Sequence, residues 1–371
     1  MLTALQRLLP MAEKVIDRRT SLPILKEICL QDGIARVTDL ETMLVMPVPD
    51  QGAYTLPVTV LKKVLATRPQ NLSIEPGRNQ KVTLGYGDLQ LSYLGKDPKD
   101  FPAIPGGQFT SLGKCPRDLF QVLATQTGYC SKDELKGALL GVHVCQSKGQ
   151  LTTTATDGHV LRRQNSLQGG MEAFEGIIPA KPLLLLSRLA RGHTEVSRSD
   201  SHLRFALPGD MTLYVRFIDE KYPDVETLIP QEFTGELLLD RDKSLKVIKA
   251  AKPFANRDTR LAIVEPGNGQ TWLMVDNPEE QTRWQAPLPV THQTGEKIRI
   301  GFDLALLEKV LSGQQSPTVR WQTTSPDSAS VFTEVGKQWQ SGAQTLLMPI
   351  RLKEEEETHV PERSDRPVAE A

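Results

Sequence analysis

The sequence predicts an α+β protein made of three tandem, similarly built domains. Three observations carry that reading. A polar break, Thr154-Ala155-Thr156-Asp157-Gly158-His159, interrupts a β-rich region and has two weaker echoes, Val37-Thr38-Asp39-Leu40-Glu41 and Val275-Asp276-Asn277-Pro278-Glu279. The three aspartates lie 118 and 119 residues apart, a period of domain size and too long for a solenoid unit. Flanking patterns repeat with them. Ahead of each aspartate come a helix-like stretch and an apolar strand, and behind it comes a second helical stretch.

The first domain, 1–112, opens with helical periodicity over 5–16, an apolar strand over 22–30, the Asp39 echo, and a second helix over 58–68. Pro98, Pro102 and Pro105, between Gly95 and Gly107, read as a linker. No strand precedes the first helix, since four residues stand before Leu5, so either the start is truncated or this domain lacks an edge strand. The second domain, 113–235, is led in by a strand over 109–112 and a helix begun at Pro116, where proline suits a first turn. A strand over 139–145 follows. Threonine-rich 151–156 favours strand, and Asp157-Gly158 supplies a hairpin or bulge signal before Val160-Leu161 resumes the apolar run. A helix over 179–191 comes next, and Tyr222-Pro223-Asp224 mirrors Phe101-Pro102 at the close. The third domain, 236–352, repeats the order: Leu237-Leu238-Leu239, a helix over 245–251, a strand over 261–264, a helix over 302–311, and a closing run from Leu346 to Leu352. Residues 353–371 read as an acidic, disordered tail.

Composition agrees. A chain of 371 residues, 39% hydrophobic and 24% charged, is long enough for two or three cores. No run approaches the roughly 18 apolar residues of a membrane helix, and no secretory signal is read at the start. The four cysteines, Cys29, Cys115, Cys130 and Cys145, form no CxxC pair and read as buried thiols of a cytoplasmic protein. The net charge of −1 conceals an uneven distribution. The tail holds seven acids and three bases, a net −4, which leaves 1–352 at +3. The six helical stretches total +10, so the remainder of that body stands near −7. Solvated helix faces would explain this; so would a helix-lined surface facing a polyanion through sequence-independent phosphate contacts.

The chain resembles the bacterial sliding clamp family, the β subunit of DNA polymerase III. Seven motifs carry the resemblance, in family order and near family spacing over 1–352. They are Ser21-Leu22-Pro23-Ile24-Leu25, Thr38-Asp39-Leu40-Glu41, Ala155-Thr156-Asp157-Gly158-His159, Tyr222-Pro223-Asp224 with Leu228-Ile229-Pro230, Asn277-Pro278-Glu279, Ile300-Gly301-Phe302, and Met348-Pro349-Ile350-Arg351-Leu352. The resemblance implies the DNA-clamp fold in a ring-shaped head-to-tail homodimer, with helices lining the inner face and antiparallel sheets outside. It implies a role in DNA replication as a non-catalytic processivity factor with no cofactor. Its partners would be double-stranded DNA, the polymerase III catalytic subunit, the clamp loader and other proteins bearing clamp-binding motifs. Geometry supports two subunits: domains roughly 30 Å across leave a duplex-sized hole when six form a hexagon, not when three touch.

Carried over position by position, the resemblance places a peptide-binding groove between the second and third domains. Its lining would be Leu139, Thr156, Gly158, His159, Val160, Leu161, Pro223, Thr227, Leu228, Leu346, Met348, Pro349, Ile350, Arg351 and Leu352. DNA-facing bases would be Arg19, Lys132 and Lys136 on rim loops, with Lys62, Lys63, Arg188, Arg191, Lys246 and Lys249 on or beside helices. Leu91 and Tyr93 would meet Lys252-Pro253-Phe254 at the dimer junction. Departures from the family pattern suggest a divergent or paralogous clamp. Val160 stands where arginine is usual, Thr227 where it is frequent, and Gly137-Ala138 where aromatic residues are frequent.

Two other classes compete with a clamp. An enzyme would need a site, yet the glycines near Lys114 are spaced one too far for a phosphate loop and Cys115 stands where Ser or Thr is needed. Asp157 and His159 lack a nucleophile motif, and neither the histidines nor the cysteines show metal-ligand spacing. A clamp-fold interaction or decoy protein that does not close a ring is the second rival.

Overall fold

The computed structural model describes residues 1–167, 171–267, 269–336 and 342–352. The expected acidic tail, 353–371, lies outside the described residues. One compact unit comprises 1–157 and 163–223, a second comprises 158–162 and 224–352 of the described chain.

The first unit holds two successive repeats. The first repeat runs α1 (Leu2–Val15), β1 (Glu27–Gln31), β2 (Ile34–Thr38), β3 (Thr42–Pro47), β4 (Tyr54–Pro57), α2 (Val58–Ala66), β5 (Ser73–Pro76), β6 (Lys81–Tyr86) and β7 (Leu89–Leu94). The second runs β8 (Thr110–Pro116), α3 (Arg117–Gln126), β9 (Gly141–Ser147), β10 (Gln150–Thr156), β11 (Val160–Leu167), β12 (Phe174–Pro179), α4 (Ala180–Leu189), β13 (His193–Arg198), β14 (His202–Leu207) and β15 (Met211–Arg216). The second unit holds the third repeat. It comprises β16 (Gly235–Asp240), α5 (Arg241–Ala251), β17 (Leu261–Pro266), β18 (Thr271–Asn277), β19 (Thr282–Pro287), β20 (Val290–Gly295), β21 (Ile300–Asp303), α6 (Leu304–Ser312), β22 (Thr318–Thr323), β23 (Ser330–Glu334) and β24 (Ala343–Leu347).

Periodicity explains these elements. In α1, Leu5, Leu8, Met11, Ala12 and Val15 are buried, the three-and-four spacing of one helix face. Strand β22 alternates instead, with Val319, Trp321 and Thr323 buried and their neighbours half-buried. Helices α2, α3 and α4 start directly after a proline, whose fixed φ ends the preceding strand. Helices α5 and α6 start with aspartate caps: Asp240 accepts from the Lys243 amide at 3.0 Å, and Asp303 from those of Ala305 and Leu306 at 2.8 and 3.1 Å.

The sheets repeat their own order. Each repeat has one sheet ordered fourth, first, second, third: β4-β1-β2-β3, β12-β9-β10-β11 and β21-β17-β18-β19. The second repeat has another ordered β15-β14-β13-β8, matched by β24-β23-β22-β16 in the third; β20 adds itself outside β16. The first repeat has only β7-β6-β5 at this place, and its first described element is α1. In each repeat the two helices pack on each other, and in the second and third repeats they also pack against both sheets. Within the first unit the repeats join through β3 and β15, antiparallel, with Val45 opposite Thr212 and Leu44 opposite Leu213. The core of the second unit centres on Trp321, Phe302 and Phe332, whose ring centroids stand 5.6 to 6.5 Å apart.

The three aspartate echoes all fall at the end of the strand that is second in chain order within the matching four-strand set of each repeat, β2, β10 and β18. Asp39 shapes a turn: its Oδ1 accepts from the amides of Glu41 and Thr42, while Oδ2 takes the Lys181 ammonium at 2.6 Å. Two stretches read as strand are partly single 3-10 turns, over Pro23–Lys26 and Gly137–Leu140, and Lys252–Phe254 forms another such turn. Proline explains two of them, Pro23 and Pro253 opening the turn. At the third, Gly137 has a steric reason: a Cβ there would stand 1.9 Å from Glu220 Oε1, and Glu220 Oε2 accepts from the Ala138 amide at 2.7 Å.

Candidate functional site

The helices carry bases away from their buried stripes. On α2 the stripe is Val58, Leu61 and Val64, and Lys62 and Lys63 are exposed beside it. On α4 and α5, Arg188, Lys246 and Lys249 are exposed in the same way, and Arg191 lies just past α4. Lys62 bonds Glu13 Oε1 at 2.6 Å, and that hydrogen bond holds the Glu13 carboxyl below its ordinary range. Lys63, Arg188, Arg191, Lys246 and Lys249 have no carboxylate within 4.0 Å among the described residues. Five uncompensated bases, four on helix faces and one just past a helix, make a weak, diffuse attraction for phosphate.

The three bases expected on loops are exposed. Arg19 stands 3.7 Å from Glu134, and Lys136 donates to the Asp157 carbonyl at 3.1 Å. The loop that carries Lys132 and Lys136 is closed at its base by Ser131 N bonding Leu139 O at 2.8 Å. At its tip Leu135 is 93% exposed. Sequence reasoning missed this residue, although a lone leucine among Lys132, Asp133, Glu134 and Lys136 is a visible signal.

The residues expected to line a groove divide by unit. In the first unit Thr156 is buried, Leu139 half-buried and Pro223 exposed. Beside Pro223, Tyr222 is buried and stacks on His143 at 4.9 Å; in the first repeat Arg36 covers Phe101 at 5.5 Å in a comparable way. In the second unit Val160, Leu161 and Leu346 are core. Gly158, His159, Thr227, Leu228, Met348 and Arg351 are exposed, and Pro349, Ile350 and Leu352 are half-buried. Leu228 and Met348 expose 51% and 40%, two apolar side chains at the surface of this unit. Backbone bonds hold the closing run: Met348 N donates to His159 O at 2.9 Å, and Ile350 N to Gly301 O at 2.8 Å. Only glycine fits at 301, where a Cβ would stand 2.8 Å from the Ile350 carbonyl oxygen. Arg351 reaches Asp327 at 3.4 Å. Beneath this surface lies a polar network absent from the sequence reading, in which buried Arg162 and Gln314 both donate to Thr345 Oγ1 at 3.2 Å.

No family model matches the chain. Curated relatives do, over nearly their whole length. The beta sliding clamp of Caulobacter vibrioides is 28% identical, covering 94% of this chain and 98% of the relative. That of Pseudomonas putida is 25% identical over the same shares. The solved DNA polymerase sliding clamp of Bacillus subtilis superposes with a TM-score of 0.84 at 20% identity, covering 94% of this chain and 98% of that one. The DNA polymerase III beta subunit of Thermotoga maritima gives 0.84 at 19%, covering 95% and 98%. The chain is a relative of the bacterial beta sliding clamps.

The four sheets end in eight terminal strands, two of which lie where the resemblance places the dimer junction. Strand β7 ends the three-stranded sheet of the first repeat, and β19 ends the four-stranded sheet of the third. On β7, Leu91 and Tyr93 are half-buried, and the Tyr93 hydroxyl donates to the Thr55 carbonyl at 2.8 Å. The exposed apolar residues on that strand are Leu89 and Leu94, which the sequence reading did not name. Beside β19, exposed Lys252, Pro253 and Phe254 form a turn, and Phe254 stacks on Trp284 of β19 at 6.3 Å. Trp284 was also missed; its signal is Thr282-Arg283-Trp284-Gln285, an alternating run after the Asp276 echo. Among the described residues no three metal-binding side chains cluster, and no helix is long and apolar enough to cross a membrane.

Proposed function

We propose that the chain is a DNA sliding clamp, closed by two copies joined head to tail, that encircles duplex DNA and tethers the replicative polymerase. One observation supports it above the others. The third strand of the first repeat, β3, pairs with the last strand of the second repeat, β15. Continuing that rule, β19 calls for the last strand of a next repeat, and the chain's own strand of that kind is β7. Both have open edges, so a second copy completes the series. Three domains bounded near 112 and 235 are then the ring's units.

In this ring Lys63, Arg188, Arg191, Lys246 and Lys249, with Lys62 and the loop bases Arg19, Lys132 and Lys136, attract the DNA phosphates without reading sequence. Leu228, Met348 and the run to Leu352 receive apolar anchors of extended peptides from the polymerase III catalytic subunit, a clamp loader and other DNA-processing proteins. The role is non-catalytic, and the energy for loading comes from the loader.

Topological linkage tests this reading. After loading, the protein stays on closed circular DNA and runs off the same DNA once it is cut to a linear form. Equal loss from both would contradict encirclement.

A further inference from the structure

Within the first repeat a cavity of about 250 Å³ opens between the ends of β1, β4, β5 and β6 and the chain that follows β7. Lys81, Lys96 and Lys99 line it, together with Gln80, Thr55 and Asp97. None of the three ammonium groups has a carboxylate within 4.0 Å among the described residues. Elsewhere the lysines Lys62, Lys181 and Lys252 each have one. The single acid of the lining, Asp97, has its Oδ1 occupied by the Lys99 amide at 2.9 Å.

The walls are fixed. Thr55 Oγ1 accepts from the Lys96 amide at 2.7 Å and bonds the buried Glu27 behind it. Gln80 and its neighbour Asn79 hold left-handed φ values of 59° and 53°, which non-glycine residues seldom adopt and which cluster where structure is over-determined. The Gly95 amide donates to the Gln80 carbonyl at 2.9 Å and locks that turn. Lys81, Lys96 and Lys99 are exposed, so one cavity is lined by three positive charges that no carboxylate neutralises among the described residues, and an anion is favoured there. The volume is below the range of drug-sized pockets and excludes a duplex, whereas a compact anion fits.

We propose that this cavity binds a small anion carrying two or more phosphoryl groups, with Lys81, Lys96 and Lys99 as its ligands. All the residues belong to one repeat, and none is among those proposed to receive peptides.

Calorimetric titration with inorganic pyrophosphate at constant ionic strength tests it. The expected result is one saturable site per chain. Lys96→Gln with Lys99→Gln weakens it at least about tenfold, the scale of losing a charge-assisted hydrogen bond. Lys148→Gln, a remote charge removed from an exposed turn, leaves it unchanged. Non-saturable heat, or equal binding by the double variant, would overturn the proposal. So would displacement of pyrophosphate by a short DNA duplex, which would assign the three lysines to the nucleic-acid surface instead.

Discussion

Glu27 shows what burial does to a single side chain. It is 5% exposed at the start of β1 and bonded to Thr55. Removal from water raises its carboxyl above the ordinary value of 4.5, against the smaller opposing pull of the Thr55 hydroxyl and the Lys96 charge. The folded chain therefore favours the protonated acid. Its contribution to stability is complete below 4.5 and is lost as pH rises through the folded value. Glu27→Gln keeps an acceptor for Thr55 and cannot ionise. Its melting temperature relative to the native chain is expected to climb between about pH 4 and about pH 7.5; parallel curves would contradict this. Such residues were not legible in the sequence, because nothing local distinguishes a buried Glu27 or Arg162 from a solvated one. Asp39, Asp157 and Asp276 were legible, because a turn at a strand end imposes its residue type locally. Their recurrence exposed the repeat.

At the level of elements, helices were read well and the edges poorly. The stripe in α1 is a short-range pattern, so it survives in the sequence. Strand β20 does not: its residues are mostly exposed, and they are extended because β16 offers an edge to pair with. The open edges matter most for assembly. Leu89 and Leu94 expose 57% and 69% on β7, so charges there disturb little of the monomer. Leu89→Lys with Leu94→Lys is expected to leave the melting temperature nearly unchanged and to weaken self-association at least about tenfold, the effect of losing an interface anchor. Sedimentation at several concentrations reads both species. An unchanged monomer–dimer balance would remove β7 from the junction.

For the whole molecule, the internal repeat is the argument. Two helices and two sheets recur three times, and in the first unit neighbouring repeats join by strand pairing. The sequence carries that architecture because the repeat period outlasts the divergence of individual residues. The identity of the junction residues was less legible, because an edge is defined by the absence of a neighbour and leaves no periodic mark. Solution mass across a dilution series tests the closed pair most directly. The expected mass is twice the chain mass of 41.2 kDa, 82.4 kDa, persisting on dilution. A mass of 41.2 kDa at every concentration would contradict it and leave β7 and β19 as unpaired edges of a protein that does not encircle DNA.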